Sequence, residues 1–144
     1  MTPGRQRLAP VPETAETDIP AYCPAGCRVW SGGGIPVVSL PEEVDVANVH
    51  LLRRALDAAC PGATVMAVDM TKTTLFSAAG MGAVASAAKR LHGGGGELLL
   101  IVGDPHVRHV LAAVGFDRPF RVFTSLAVAL ETVRESRQVY QQAA

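Results

Sequence analysis

The sequence predicts an α/β fold: a mixed, mostly parallel sheet of four to five strands with about four helices packed against it. Thr64–Met70 is a nearly continuous apolar run rich in β-branched residues, as expected of a strand buried on both faces. Glu97–Val102 has the same character. Between and around these runs, apolar residues recur at intervals of three and four, which is the helical period. Strands that alternate with helices build crossover units and parallel pairing, because a parallel partner can be reached only through a long connection. A chain of 144 residues suffices for one domain with its own core.

In chain order, residues 1–26 are proline-rich, carry scattered charge and lack periodicity, so they read as a flexible tail. The ordered domain is expected over 27–138. Cys27–Trp30 and Ile35–Leu40 are short apolar runs joined by Ser31-Gly32-Gly33-Gly34, a hairpin signal. Pro36 cannot donate to a ladder, which suggests an edge or opening position for the second strand. Pro41–Asp45 turns into a first helix with Asp45 as its expected N-cap, and Val49, Leu52, Leu56 and Ala59 fall at helical spacing. Pro61-Gly62 stops that helix. After the strand Thr64–Met70 comes a polar loop of threonines, then an alanine-rich helix over about Ala78–Leu91. Its expected apolar face is Met81, Val84, Ala88 and Leu91. His92 and four glycines end it. Asp104-Pro105 opens a third helix after Glu97–Val102, with Val107, Val110, Leu111 and Val114 on one face and Gly115 closing it. Arg121–Phe123 is at most a very short strand. Ser125 caps a last helix to about Gln138, with Leu126, Ala129, Leu130 and Val133 inward, and 139–144 form a tail.

Composition excludes several classes. About half the residues are hydrophobic, which argues against a disordered chain. Formal charge is zero, with basic and acidic residues balanced at 13 each, so no nucleic-acid partner and no anionic membrane surface is expected. No apolar run approaches the roughly 20 residues needed to span a bilayer, and the N-terminus has no apolar core for a signal sequence. Three cysteines without such a signal point to a reducing, cytoplasmic setting.

Candidate chemistry is sparse. Cys23-Pro-Ala-Gly-Cys27 admits ordinary cysteines or a redox pair, while a metal site would need two more ligands that no second cysteine or histidine pair supplies. His106 and His109 sit three apart and could share a helix face, with no carboxylate or third histidine near them in sequence; a solvated face is the simpler reading. Asp45, Asp69 and Asp104 all fall at strand ends or helix starts, where capping explains them. No glycine-rich nucleotide loop, phosphate loop or nucleophile elbow occurs at a strand-to-helix turn, so no enzyme and no cofactor is expected. Ser77 stands at the start of the alanine-rich helix. It is either that helix's N-cap or a regulatory hydroxyl, since a phosphate there would meet the helix's positive end.

Leu40-x-Glu42-Glu43-Val44-Asp45, Asp69-Met70-Thr71, Phe76-Ser77-Ala78-Ala79-Gly80-Met81-Gly82 and Gly96-Glu97-Leu98 occur in this order. Together they resemble a STAS domain, and more specifically the bacterial anti-sigma factor antagonists, over roughly residues 27–135. Pro105-x-Val107-x-x-Val110-Leu111 and Gly115-Phe116-x-x-x-Phe120 are similar to that family's third helix and following turn. The resemblance implies a domain that binds an anti-sigma factor or a serine-kinase-like protein, needs no cofactor of its own, and leaves a homodimer open. It also implies that such a kinase switches the domain off by phosphorylating a serine at the start of the second helix.

The departures from that pattern lie in one loop. Where the family reads Asp-Ser-Ser-Gly-Leu-Gly, with the second serine the acceptor, this chain has Ser77-Ala78-Ala79-Gly80-Met81-Gly82. The acceptor position is Ala79, which has no hydroxyl, and Ser77 is the possible substitute. The glycine of the family's Gly-Glu-hydrophobic-Asp turn is Glu42, while Glu43 and Asp45 are kept. The expectation is a protein-binding regulatory module of anti-sigma factor antagonist type that is not controlled by phosphorylation at the usual site. Its expected partner surface is Asp45, Ser77, Ala78, Ala79, Gly80 and Met81. Two competing readings are a small-ligand or nucleotide sensor on the same fold, and a redox-responsive regulator through Cys23 and Cys27, with Cys60 as a further thiol.

Overall fold

The computed structural model describes residues 16–18 and 26–143, with side chains over 26–137. Its elements are β1 (Glu16–Asp18), β2 (Arg28–Gly32), β3 (Ile35–Ser39), β4 (Glu43–Val44), α1 (Val49–Ala59), β5 (Val65–Met70), β6 (Leu75–Phe76), α2 (Ala78–Gly93), β7 (Glu97–Val102), α3 (Pro105–Ala113), β8 (Arg121–Phe123) and α4 (Leu126–Ala143). One sheet has six strands in the order β1-β2-β3-β5-β7-β8, and β4 pairs with β6 in a separate ladder. The β1–β2 and β2–β3 pairs are antiparallel; β3–β5, β5–β7 and β7–β8 are parallel. The sheet is therefore mixed and mostly parallel, with four helices, as the strand–helix alternation predicts.

The β2–β3 hairpin closes through Gly33 and Gly34, whose φ angles of 60° and 83° fit a tight turn with both central residues left-handed. Of the two positions that Pro36 allowed, an edge or the opening of a strand, the second is found: β3 lies between β2 and β5, and Pro36 is its second residue. Gly32 and Ile35 form the closing pair, so strand alternation turns the nitrogen of Pro36 away from β2, and pairing with β5 begins only at Val37. The missing donor is thus placed where no ladder bond is lost.

Strand alternation builds two cores. Leu98, Leu100 and Val102 of β7 pack with Val38, Met66 and Val68 beneath α1, α2 and α3. Leu99 and Ile101 point the other way and meet Ala129, Leu130 and Val133 of α4. Three crossover helices thus share one face of the sheet, and α4 covers the other. Each fully buried aliphatic side chain in these layers contributes about 1.5–3 kcal/mol.

Several local expectations are corrected. Asp45 does not cap α1: Asn48 occupies that position without a side-chain capping bond. The Asp45 carboxylate instead accepts from the Ala47 N–H at 2.9 Å, and Asn48 Oδ1 accepts from the Asp45 N–H at 2.9 Å. These side chains favour a turn over residues 45–48 and delay the helix by about one turn. The buried face of α2 is Gly80, Ala83, Val84, Ala87 and Leu91, leaving Met81 and Ala88 only half-buried. Val84 and Leu91 are buried as expected, and the small residues Gly80, Ala83 and Ala87 turn the buried stripe slightly away from Met81 and Ala88. Val114 lies past the last helical residue of α3 and is 62% exposed. β1 falls within the segment read as tail, and α4 runs beyond Gln138 to Ala143. Asp104 caps α3 as expected, accepting from the His106 and Val107 N–H groups at 2.7 and 3.2 Å. Among the described residues, no helix is long and apolar enough to cross a membrane.

Candidate functional site

The site is assembled by the ladder that the sequence reading missed. β4 and β6 are too short to stand out by periodicity, yet they pair in parallel with Glu43 opposite Leu75 and Val44 opposite Phe76. Their inward residues, Val44 and Phe76, are buried, while Glu43 and Leu75 face out. The Thr74 and Leu75 N–H groups donate to the Glu42 carbonyl at 2.8 and 3.2 Å. Below them Thr73, fully buried, donates its hydroxyl to the Pro41 carbonyl at 2.8 Å. The loop after β3 and the loop after β5 are therefore tied together over a separation of 32 residues.

The start of α2 is fixed on this ladder. The Ser77 N–H donates to the Val44 carbonyl at 3.0 Å, so Asp45, the next residue, stands beside the helix start. Ser77 is the N-cap: its backbone is extended, its hydroxyl accepts from the Gly80 N–H at 3.5 Å, and its carbonyl accepts from Met81 at 3.0 Å. Ala78 is exposed, and Ser77, Ala79, Met81 and Asp45 are half-buried. Gly80 faces inward. A Cβ there would lie 2.9 Å from Val44 Cγ1, so only glycine lets the first turn sit this close to β4.

All six expected surface residues thus belong to one corner of the fold, although Gly80 supports the surface from beneath and is itself buried. Two residues missing from the expectation join it. Val46 is 79% exposed and Leu75 47% exposed, both unusual for large apolar side chains. A cue for Leu75 was available in the Leu75-Phe76 pair: alternation on a two-residue strand must send one of the two outward.

The other candidate chemistry disperses. Cys27 is 3% exposed, in the core beneath α1, and Cys23 lies outside the described residues. Cys60 is half-buried at the end of α1, where burial pushes its thiol up and Arg90 opposes that shift. His106 and His109 are exposed on α3, and among the described residues no three His, Cys, Asp or Glu side chains gather as a metal site. The Asp69 carboxylate accepts from the Thr71 N–H at 3.1 Å, a turn role.

Comparison with known proteins agrees with this architecture. The chain is similar in fold to an anti-sigma factor antagonist from Mycobacterium paratuberculosis, with 23% identity, a TM-score of 0.69, and coverage of 75% of this chain and 92% of that one. A STAS domain protein from Planctomyces limnophilus is similar at 20% identity and TM-score 0.67, covering 74% and 95%. The Bacillus cell fate determinant SpoIIAA in its phosphorylated form is similar at 20% identity and TM-score 0.55, covering 69% and 90%. No curated protein matches the sequence. The family profile described as the STAS domain matches residues 31–129, which takes in the strands from β3 to β8, the Ser77 corner and the first turn of α4. A match over that much of the chain, on a fold with its strands and helices in this order, makes the protein a member of the STAS domain family.

Proposed function

We propose that this STAS domain is a protein-binding regulator of the anti-sigma factor antagonist type, docking an anti-sigma factor or serine-kinase-like protein on the corner formed by Asp45, Val46, Leu75 and the first turn of α2. Phosphorylation at the usual position does not control it. The observation that carries this reading is Ala79. It is the second residue of α2, half-buried beside the Ser77 cap, and has no atom that can accept a phosphoryl group. A partner that docks on the unmodified form of such a corner finds it permanently available.

The corner suits a protein partner better than a small ligand. It carries the exposed apolar side chains Val46 and Leu75 on a hydrogen-bonded base, as an interface centre does. The sheet order runs in one direction from β3 to β8 with all three crossovers on one face, so there is no reversal of strand order of the kind that opens a ligand crevice in α/β sheets. The redox reading finds no support in the buried position of Cys27.

The test has two arms. Tagged protein recovered from its native cell is expected to bring down an ATP-binding anti-sigma kinase, and the purified pair incubated with ATP is expected to leave this chain unphosphorylated. Stoichiometric phosphate on Ser77 or Thr74 sinks the control argument; absence of any such partner sinks the regulator.

A further inference from the structure

A groove of about 400 Å³ runs along the seam between α1 and α2, lined by Arg53, Leu56, Asp57, Ala83, Ser86, Lys89 and Arg90. Three cations face one carboxylate there. Arg90 and Asp57 pair across the seam at 2.7 Å, which neutralises both charges. Arg53 and Lys89 carry no ion pair or hydrogen bond among the described residues. Two uncompensated positive charges therefore line a groove whose floor is Leu56 and Ala83.

Their placement selects a class of ligand. A Cβ at Gly82 would stand 4.0 Å from Arg53 Nη2, so the Arg53 guanidinium lies over α2 at Gly82, next to Met81 of the docking corner. Lys89 is seven residues further along α2, which at 1.5 Å per residue is about 10 Å. A compact anion such as phosphate cannot touch both positions at once. A chain with carboxylates spaced about 10 Å apart can, and glutamates seven residues apart on a helix have that spacing. The seam also begins where the corner ends, so a protein seated on the first turn of α2 has the groove directly in line.

We infer that the α1–α2 seam is a docking groove for an acidic, helical segment of the same protein partner, with Arg53 and Lys89 as its two charge contacts. This rests on the reading of the chain as a binding module. Glu42, Glu43 and Asp45, on β4 and beside it, make the corner itself acidic and disfavour such a segment there, which leaves the seam as its place.

The probe is a capped, alanine-rich 15-residue peptide with two glutamates seven residues apart, compared with its twin bearing glutamines. In an NMR titration of the whole ¹⁵N-labelled protein at low salt, the glutamate peptide is expected to shift amides near Arg53, Ser86 and Lys89, and the glutamine twin is not. The double variant Arg53→Gln/Lys89→Gln breaks no bond of the fold and is expected to weaken binding by about tenfold. Equal shifts from both peptides, undiminished binding by the double variant, or the same shifts at both cations from inorganic phosphate alone would each overturn the inference. The variant Ala79→Glu separates the two proposals, because it alters the corner and leaves the seam intact. Peptide binding that survives in Ala79→Glu supports the seam. Failure to capture any kinase-like partner, with peptide binding retained, removes the proposed function and leaves the groove standing. Capture of that partner by wild type without any peptide shift removes the groove alone.

Discussion

Gly80 packs its bare Cα against the ring of Phe76: a Cβ built there would lie 2.7 Å from Cε1 and 2.9 Å from Val44 Cγ1. This contact joins the first turn of α2 to the β4–β6 ladder, so the shape of the corner depends on a missing methyl group. Alanine at position 80 would gain about 1 kcal/mol in helix propensity but overpack by about 1–3 kcal/mol. Gly80→Ala is expected to lower the urea midpoint and disturb the corner. Gly82, two residues on and exposed, has only Arg53 Nη2 at 4.0 Å from such a Cβ. Gly82→Ala is expected to raise stability by about 0.5–1 kcal/mol. Equal responses of the two variants to urea would refute this account of the packing.

Thr73 should be the most sensitive polar residue of the site. Its hydroxyl is fully buried and donates to the Pro41 carbonyl at 2.8 Å. Thr73→Val keeps the volume but leaves that carbonyl without its donor, at a cost of about 1–3 kcal/mol. The expected result is a lower unfolding free energy in urea together with weaker partner binding, since the loop carrying Glu42 to Asp45 is held by this bond. An unchanged midpoint would show that the bond contributes nothing.

Ala79→Glu should separate stability from binding. An acidic residue in the first turn of a helix is favoured by about 0.3–1 kcal/mol, so Tm should hold or rise. The same charge at the half-buried centre of the corner should abolish partner capture. A variant that still captures the partner at wild-type level would remove this corner from the interface.

Thiol chemistry offers a fourth check. The nucleophile is the thiolate, and burial pushes the Cys60 thiol above its ordinary value, so less thiolate is present at a given pH. Cys27 is shielded by the core beneath α1. Iodoacetamide at pH 8 should therefore alkylate both more slowly in the folded protein than in guanidinium, as read by mass spectrometry of digests. Labelling of Cys60 at the unfolded rate would contradict its environment.

The sequence by itself determined the features that depend on near neighbours along the chain. Val65–Met70 and Glu97–Val102 are strands because their apolar runs suit burial on both faces. Gly33-Gly34 makes a tight turn because both positions need positive φ, and Asp104-Pro105 and Ser77 start helices because their oxygens meet free N–H groups. The candidate corner was legible for the same reason, since Ser77 to Met81 is a local motif. Tertiary structure decided what depends on distant partners. The β4–β6 ladder joins segments some thirty residues apart, and two-residue strands carry no periodic signal. Asp45 holds a turn instead of a cap because its carboxylate accepts from the Ala47 N–H while its own N–H donates to Asn48 Oδ1. The buried face of α2 takes in Gly80 because Phe76 and Val44 stand so close that any side chain there would collide. The seam of Arg53 and Lys89 exists only once α1 and α2 lie side by side, for charges 36 residues apart acquire a common purpose only through packing.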